Sequence, residues 1–188
     1  MSDRGPFLWI SRHSPPAGFT EPPRGGMCVC AFLFVTRDDQ ILLGKYADDP
    51  KWEELAGLDQ GRRRTNANGW TIPASHLKFG EDPRQTARRI GEQILLMQGA
   101  QYSEPRTEVD AYPSQFSPGE THYDIWFFVD AVPPRTYEAR APAWYRELEW
   151  RDPRTLAASG YARAHEDVVA RWLAIRSKGT RRAAESTR

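Results

Sequence analysis

Residues 70–97 read WTIPASHLKFGEDPRQTARRIGEQILLM and contain the best-defined helix pattern of the chain. Within it, Asp82 stands where a helix N-cap belongs, Pro83 suits the first helical position, and Gln85 completes a capping box. Apolar residues then recur at spacings of three and four, the period of one helix face, at Ala87, Ile90, Ile94 and Met97. The pattern predicts a helix that begins after Asp82, is buried along that stripe and ends at Gly99.

The sequence on either side of this helix predicts strands, a second helix and an exposed loop. The strands are short apolar or alternating runs between turn residues, and they cover Met27–Thr36, Ile41–Tyr46, Trp70–Pro73, Thr107–Tyr112, Tyr123–Val132 and Glu147–Arg151. A second amphipathic helix is predicted over Tyr161–Ile175, with a buried face formed by Ala164, Val168, Val169, Trp172 and Leu173. Residues 61–69, GRRRTNANG, predict an exposed loop whose three arginines are either solvated, as arginine runs usually are, or close to an anion.

The charge balance and the ends of the chain limit the function classes. The 188 residues carry 26 Lys and Arg against 25 Asp and Glu, a formal net charge of +1. This balance argues against a strongly basic nucleic-acid binder and against an acidic solvating protein. Residues 1–26 are rich in proline and glycine and predict an arm, residues 27–176 predict one folded domain, and residues 177–188 predict a basic, frayed tail. No apolar run approaches the ~18 residues of a membrane span, so we expect a cytoplasmic protein without a membrane partner.

Cys28 and Cys30 are the only cysteines. Two positions apart on one strand, their side chains lie on the same face and do not converge as a relaxed disulfide requires. They also make poor tetrahedral metal ligands unless further ligands arrive from elsewhere in the chain. We interpret them as small buried hydrophobic side chains in a reducing compartment.

This layout resembles the Nudix hydrolase superfamily, whose motif is G-x5-E-x7-R-E-U-x-E-E-x-G-U, where U is aliphatic. Glu81 matches the first glutamate of the motif, and Arg89, eight residues later, matches its arginine. Trp70–Pro73 before the helix, and Thr121–Tyr123 at the start of an apolar strand, are similar to the family's usual surroundings. Over residues 26–176 the resemblance implies an α/β fold, the Nudix-type α/β/α sandwich with a mixed β-sheet.

The match fails where the resemblance places the chemistry. In the family, glutamates of this helix bind Mg2+, which neutralises the diphosphate and activates the attacking water. The corresponding positions are Ile90, Gln93 and Ile94, and isoleucine offers no oxygen ligand. At about 100° per residue these three share one face and Glu92 points away from it, so Glu92 does not replace them. The motif is therefore degenerate, and we expect its former metal face to be part of the core. Its second glycine is also absent, since that position is Leu96.

One branch of the family, the GDP-mannose mannosyl hydrolases, also lacks some of these glutamates and attacks carbon instead of phosphorus. The chain resembles this branch at Leu42–Lys45 and around Trp150. That branch keeps the glutamate that is Ile94 here, and it has a Gln-His pair where this chain has Trp144 and Tyr145. The resemblance implies common ancestry more than a shared activity.

Candidate site residues also lie outside the helix. On the strand that follows Glu120, His122 alternates with Asp124 on one face. This pair suits a metal site or a general base, and equally a hydrogen-bonded polar face without chemistry, so Glu120, His122 and Asp124 are the catalytic candidates. Glu81 either reaches a metal or braces Arg89, so the metal-ligand candidates are Glu81, Glu120 and Asp124. Candidate ligand-binding residues are Lys45, His76, Lys78, Glu81, Arg89 and Gln93.

Two functions stay open on this sequence. The missing glutamates favour a divergent Nudix-fold protein that has lost efficient Mg2+-dependent diphosphate hydrolysis and binds a nucleotide-like ligand or a protein partner. The alternative is an active, atypical hydrolase of a nucleoside-diphosphate derivative such as a nucleotide sugar, with Mg2+ or Mn2+ held outside the helix. Besides these two functions, an oligomeric scaffold is a third possibility, since such domains often pair through their sheets. A homodimer is compatible with all three, and no nucleic acid partner is expected.

Overall fold

The computed structural model describes residues 25–78, 80–114 and 117–185. Within these ranges a mixed β-sheet packs between helices on its two faces, which confirms the predicted α/β/α sandwich. The predicted arm, except for Gly25 and Gly26, and residues 186–188 of the predicted tail lie outside the described residues.

The sheet of the described ranges has seven strands in the order β4-β6-β1-β2-β7, with β3 also paired to β1 and β5 to β6. Of these pairs, β1 and β6 run parallel and the others are antiparallel. The strands are β1 Met27–Arg37, β2 Gln40–Tyr46, β3 Ala74–His76, β4 Gln101–Tyr102, β5 Arg106–Pro113, β6 Thr121–Val132 and β7 Tyr145–Arg151. Five of the six predicted strands are present, with ends that differ by up to two residues.

The segment that precedes the predicted helix fills a gap between β1 and β2. These two strands pair next to their hairpin turn and then diverge. Thr71 exchanges two backbone hydrogen bonds with Gly44 on β2, at 2.9 and 3.0 Å, and the Pro73 carbonyl accepts one from Leu33 on β1. The strand predicted at Trp70–Pro73 is wrong in position, because β3 begins only after the proline, which has no N–H to donate to a ladder. The first two residues of the predicted strand form isolated bridges instead.

The sheet is covered on both faces, so β1 is apolar on both sides. One core cluster contains Leu33 of β1 together with Ile90 and Ile94 of the predicted helix. A second cluster, on the other face, contains Phe34, whose ring stacks on Trp172 of the C-terminal helix with centroids 4.5 Å apart. The two clusters form the two halves of the sandwich.

The predicted capping box is present at the start of helix α3. The Gln85 backbone N–H donates to the Asp82 side chain, and the Asp82 backbone N–H donates to the Gln85 side chain, both at 2.8 Å. The α-helix itself is short, Pro83–Arg89, and passes directly into a π-helical turn, Ile90–Ile94. The helical segment therefore ends earlier than the predicted stop at Gly99.

Two short helices lie between β2 and β3, namely α1, Lys51–Ala56, and α2, Gln60–Thr65, which is capped by the Asp59 side chain. The exposed loop predicted over residues 61–69 is therefore wrong in its first half. Arg63 is buried rather than solvated, because three acceptors compensate its charge and donors. These acceptors are the carboxylates of Asp48 and Glu53 and the carbonyl of Leu58.

The C-terminal helix α4 covers His165–Glu185, after a 3₁₀ turn at Ala158–Gly160. It begins later than predicted and continues past the predicted end at Ile175. Ala164, predicted to face inward, lies before the helix and is exposed, with a left-handed φ of 53°. The rest of the predicted buried face packs in the second cluster: Val168, Val169, Trp172 and Leu173. No helix in the described part of the chain is long and apolar enough to cross a membrane.

Candidate functional site

Glu81 and Arg89 form a bidentate ion pair at the start of α3. Arg89 Nε lies 2.6 Å from Glu81 Oε1, and Nη2 lies 2.8 Å from Oε2. Arg89 is only 6 % exposed. Its guanidinium group also donates to the oxygens of Leu55, Ser75 and His76. The pair therefore ties α3 to β3 and to the end of α1, as the bracing interpretation of Glu81 requires.

The environment of Glu81 strongly favours its charged form. Partial burial alone raises the pKa of this carboxyl, but hydrogen bonds from the Arg89 side chain, the Lys78 backbone N–H and the Thr86 hydroxyl outweigh it and lower the pKa to about 2. Both carboxylate oxygens are thus engaged within the protein. A metal ion at Glu81 would have to displace Arg89.

The isoleucines at the family's metal-ligand positions belong to the core. Ile90 and Ile94 are both 0 % exposed and pack in the cluster that contains Leu33. Gln93 is exposed, so the prediction that it shares their face is wrong. The cause is the π-helical turn: the Leu95 N–H donates to the Ile90 carbonyl, five residues back, at 3.0 Å, and such a turn rotates less per residue than an α-helix.

A tryptophan holds the end of this turn in place. The Trp144 indole N–H donates to the Ile94 carbonyl at 2.9 Å, and the Trp144 carbonyl accepts a hydrogen bond from the Trp52 indole. Tyr145 is buried in the same cluster. The two positions at which the mannosyl-hydrolase branch has its Gln-His pair therefore support the core here.

Leu96, at the position of the motif's second glycine, has a left-handed backbone conformation. Its φ is 54°, in the left-handed region that favours glycine, and its side chain is 56 % exposed.

The helix does not fit Mg2+. This ion requires oxygen ligands in near-octahedral geometry, usually including one or two carboxylates. Ile90 and Ile94 offer no oxygen, and Glu81 is held by Arg89. No metal-dependent step can therefore be assigned to this part of the chain.

A second polar group lies on the face of the sheet that α4 covers. On β6, His122 Nε2 is 3.3 Å from Asp124 Oδ1, and His122 Nδ1 is 3.0 Å from the Gly25 carbonyl oxygen. The Tyr112 hydroxyl on β5 donates to Asp124 Oδ2 at 3.0 Å. Cys28 is the register partner of Asp124 on β1, and its sulfur lies in the same group.

The thiol and the phenol of this group are protonated at neutral pH. Burial raises the pKa of Cys28 to about 11, and the charge of Asp124, to which the thiol donates a hydrogen bond, adds to the effect. Burial and then the charge of Asp124 also raise the pKa of Tyr112.

The predicted metal ligands do not converge. Among the described residues, one group of three possible ligands exists, Cys28, His122 and Asp124. Glu81 and Glu120 do not belong to it. Of the catalytic candidates, the structure therefore brings His122 and Asp124 together and leaves Glu120 exposed outside their group.

Four of the predicted ligand-binding residues are linked by hydrogen bonds, namely His76, Lys78, Glu81 and Arg89, whereas Lys45 and Gln93 are not part of this group. Lys45 pairs with Glu147 at 3.0 Å and lies 4.4 Å from the ring centroid of Trp70. Lys78 is exposed, and its backbone rather than its ammonium group contacts Glu81. The six candidates therefore do not form one site.

The charges of two arginines act on His76 on β3. Burial, followed by the charges of Arg163 and Arg62, lowers the pKa of His76 to about 4. The guanidinium of Arg163 donates to the Tyr46 hydroxyl at 3.2 Å. The charges of both arginines also act on Cys28, so the two guanidinium groups lie towards the same end of the sheet.

Comparison with known proteins identifies the fold of this chain. No protein-family model and no curated protein matches the sequence. The structure is similar to the solution structure of the E. coli ORF135 protein, with a TM-score of 0.50, 18% sequence identity, and coverage of 81% of this chain and 92% of that one. The chain has a Nudix-type fold.

Two further similar structures carry the Nudix name. A NUDIX hydrolase from Nitrosomonas europaea has a TM-score of 0.49 at 15% identity, covering 85% of this chain and 75% of that one. RenU, a Nudix hydrolase from M. smegmatis, has a TM-score of 0.49 at 14% identity, covering 84% of this chain and 94% of that one. At these identities the likeness concerns the fold and not the reaction.

Within the Nudix-type fold, sequence reasoning missed three residues near the polar groups. Cys28 is interpreted from sequence as a small hydrophobic side chain, yet it joins His122 and Asp124. Tyr112 and Arg163 carry no local sequence pattern that marks them as part of a polar group. The useful signal is the pair of cysteines on one strand, combined with a second strand that supplies His-x-Asp.

Proposed function

We propose that this Nudix-fold protein does not catalyse efficient Mg2+-dependent diphosphate hydrolysis and instead binds a nucleotide-like ligand or a protein partner. The observation that carries the proposal is the complete burial of Ile90 and Ile94, the positions at which the family has metal-binding glutamates. A metal site cannot be rebuilt there by side-chain rotation, because isoleucine has no ligand atom and the positions face the core.

Charge favours the ligand over the protein partner. Arg62 and Arg163 act electrostatically on the same two residues, His76 and Cys28. Guanidinium groups are well suited to phosphate because of their planar arrangement of donors. A nucleoside diphosphate or a nucleotide sugar is therefore the class of ligand that we propose.

Hydrolysis is tested with the full-length chain and a panel of nucleoside diphosphates and nucleotide sugars, with Mg2+ or Mn2+. We expect no metal-dependent turnover above that of the heat-inactivated protein. The atypical hydrolase would be established instead by turnover that is lost in Glu120→Gln or Asp124→Asn. Glu92→Gln, at an exposed helix position, is the control and should leave that turnover intact.

Binding is tested by isothermal titration with the same panel in the presence of EDTA. We expect a member of the panel to bind without metal, and Arg62→Ala to weaken it at least about threefold through loss of a charged contact. Arg64→Ala is the matched control, since Arg64 lies on the same helix and its exposed side chain pairs with Asp48. No binding by any member would contradict the ligand role, and the oligomeric state of the chain would then test a second copy as the partner.

A further inference from the structure

We propose that Cys28, His122 and Asp124 bind one Zn2+ ion on the face of the sheet covered by α4. The three side chains offer the Cys28 sulfur, whose proton is released to solvent when a metal binds, an imidazole nitrogen and a carboxylate oxygen, and these atoms lie within 4.8 Å of one another. Helix α3 packs on the opposite face, with the other core cluster. The site is therefore distinct from the helix positions at which the family resemblance places Mg2+, and it does not depend on the proposed ligand-binding role.

The parallel pairing of β1 with β6 brings these residues together. Cys28 lies directly beside Asp124, and His122 precedes Asp124 by two residues. Side chains two residues apart on a strand share a face, and so do side chains of register partners. Two cysteines on one strand are poor tetrahedral ligands by themselves, and β6 supplies the ligands that they lack.

The distances are close to those of a tetrahedral zinc site. With bonds of about 2.0–2.1 Å, a nitrogen and an oxygen ligand of Zn2+ are separated by about 3.4 Å, and His122 Nε2 lies 3.3 Å from Asp124 Oδ1. A thiolate with a bond of about 2.3 Å would lie about 3.5 Å from either. The Cys28 sulfur, which lies within 4.8 Å of both atoms, therefore has to come closer by up to about 1.3 Å.

The outer contacts orient two of the ligands as metal sites require. A ligating histidine usually donates its other ring N–H to a carbonyl or carboxylate, which fixes the tautomer and the ring. Here His122 Nδ1 faces the Gly25 carbonyl at 3.0 Å, which leaves Nε2 directed towards Asp124. The Tyr112 hydroxyl holds the second oxygen of Asp124 at 3.0 Å. Both ligands are thus pre-oriented from outside the site.

The position of Gly25 depends on its having no side chain. A Cβ at this residue would lie 2.0 Å from the Thr121 carbonyl oxygen. Only glycine permits this close approach to the start of β6. The close approach is what places the Gly25 carbonyl within hydrogen-bond distance of His122.

Charge and ligand type select Zn2+ over Mg2+. One thiolate and one carboxylate together neutralise a divalent cation, so the largely buried group would carry no net charge with the ion bound. Sulfur and imidazole are preferred by Zn2+, whereas Mg2+ requires oxygen ligands. Three protein ligands leave a fourth position for water or an anion. Cys28 and Asp124 are partly exposed, which gives the ion an entry path.

The experiment uses the untagged full-length chain, treated with EDTA and then desalted. Isothermal titration with Zn2+ is expected to give one ion per chain, and thermal unfolding is expected to shift to higher temperature with Zn2+ but not with Mg2+. Titration with Co2+ is expected to produce a thiolate-to-cobalt charge-transfer band, which reports on a sulfur ligand directly.

Variants assign the ligands. Cys28→Ser should remove the charge-transfer band, and Asp124→Asn should weaken Zn2+ binding at least about tenfold. Tyr112→Phe should weaken binding about tenfold and keep the band, because it acts through Asp124. Cys30→Ser is the matched control: Cys30 lies on the same strand face but outside the ligand group, so the band and the affinity should persist.

Two results would overturn the proposal. It is overturned if the folded, EDTA-treated chain binds no stoichiometric Zn2+, or if the band disappears in Cys30→Ser and persists in Cys28→Ser. Circular dichroism and the metal-free unfolding temperature of each variant separate loss of the site from loss of the fold. His122 is 1 % exposed, so its substitution is replaced by the milder variants above.

Discussion

Arg89 holds both carboxylate oxygens of Glu81, with Nε at 2.6 Å and Nη2 at 2.8 Å. In sequence these two residues match charged positions of the Nudix motif, whereas the positions of its helix glutamates correspond to Ile90, Gln93 and Ile94. Bracing needs one carboxylate and one guanidinium group, and it contributes to stability with or without a metal. The Glu81–Arg89 pair therefore contributes to folding whether or not a metal is bound.

Arg89→Ala should lower the free energy of unfolding by about 3–5 kcal/mol, because it leaves Glu81 partly buried without its partner and removes three further hydrogen bonds. Urea denaturation at neutral pH measures the change. Arg88→Ala is the control, since Arg88 is its exposed neighbour, and its effect should stay within about 0.5 kcal/mol. Equal losses in the two variants would show that the ion pair adds no stability.

Acid should destabilise the protein in two separate pH ranges. His165 Nδ1 accepts the Ile72 backbone N–H at 2.8 Å, and burial, followed by the charge of Arg163, holds the pKa of this histidine well below 6.5. Burial likewise lowers the pKa of His76 to about 4. The unfolded chain binds these protons near pH 6.5 and the native state does not, so stability falls as the pH drops below 6.5.

His165→Asn tests the first range, because the Asn side chain oxygen can still accept the Ile72 N–H but does not titrate. Each histidine contributes a slope of up to about 1.4 kcal/mol per pH unit. Between pH 6.5 and 4.5, the two histidines together make the free energy of unfolding depend on pH, and the variant should lose about half of that slope. At pH 7.5 the variant should be less stable than the native chain. An unchanged slope would contradict the assignment.

Glu81 governs the second range, and its sign is that of a lowered carboxyl pKa. The native pKa is about 2 and the ordinary value is 4.5, so the stability that the Arg89 pair contributes is fully present above about 4.5. It is lost as the pH falls towards 2. In urea titrations, the difference between the native chain and Glu81→Gln should therefore be constant from pH 7 to 5 and shrink below pH 4.5. A difference that is the same at pH 3 as at pH 7 would contradict the lowered pKa.

The elements that sequence predicts best are those specified by neighbouring residues. Residues close together in sequence predict the capping box of Asp82 and Gln85 and the apolar strand β6, and both are present. Helix α2 was not predictable in this way, because its three arginines look solvated. Arg63 is buried only because Asp48 and Glu53 lie close to it in space.

The site was predictable only in part, for two physical reasons. The core position of Ile90 and Ile94 follows from their helical spacing, but Gln93 was misplaced because a uniform rotation per residue ignores the π-helical turn. The group around Asp124 depends on the pairing of β1 with a strand far along the chain. The residues around Cys28 in sequence do not indicate this pairing, so Cys28 could not be assigned to the group.

Leu96→Gly should stabilise the protein by about 0.5–1 kcal/mol. Leu96 has a φ of 54°, and this left-handed backbone costs a residue with a Cβ about 1–2 kcal/mol. Glycine removes that cost, but its greater freedom in the unfolded chain offsets part of the gain. Its side chain is 56 % exposed, so little burial is lost. Leu96→Ala is the control, because it removes the same side chain and keeps the strain. Thermal unfolding of both variants measures the effect, and a gain in Leu96→Ala equal to that in Leu96→Gly would contradict the role of the backbone.

Restoring the glutamates of the motif should not restore a metal site. Ile94→Glu places a carboxylate in the core beside Ile90, and burial of an unpaired charge should cost more than about 4 kcal/mol, whereas Ile94→Val should cost about 1 kcal/mol. Gln93→Glu, at an exposed position of the same turn, should change stability by less than about 0.5 kcal/mol. Urea denaturation of each variant with and without Mg2+ measures these differences. The ion should not rescue Ile94→Glu, because the buried position leaves no room for its oxygen ligands. A stabilisation by Mg2+ that appears in Ile94→Glu and not in Gln93→Glu would show that this helix face can still open to hold a metal.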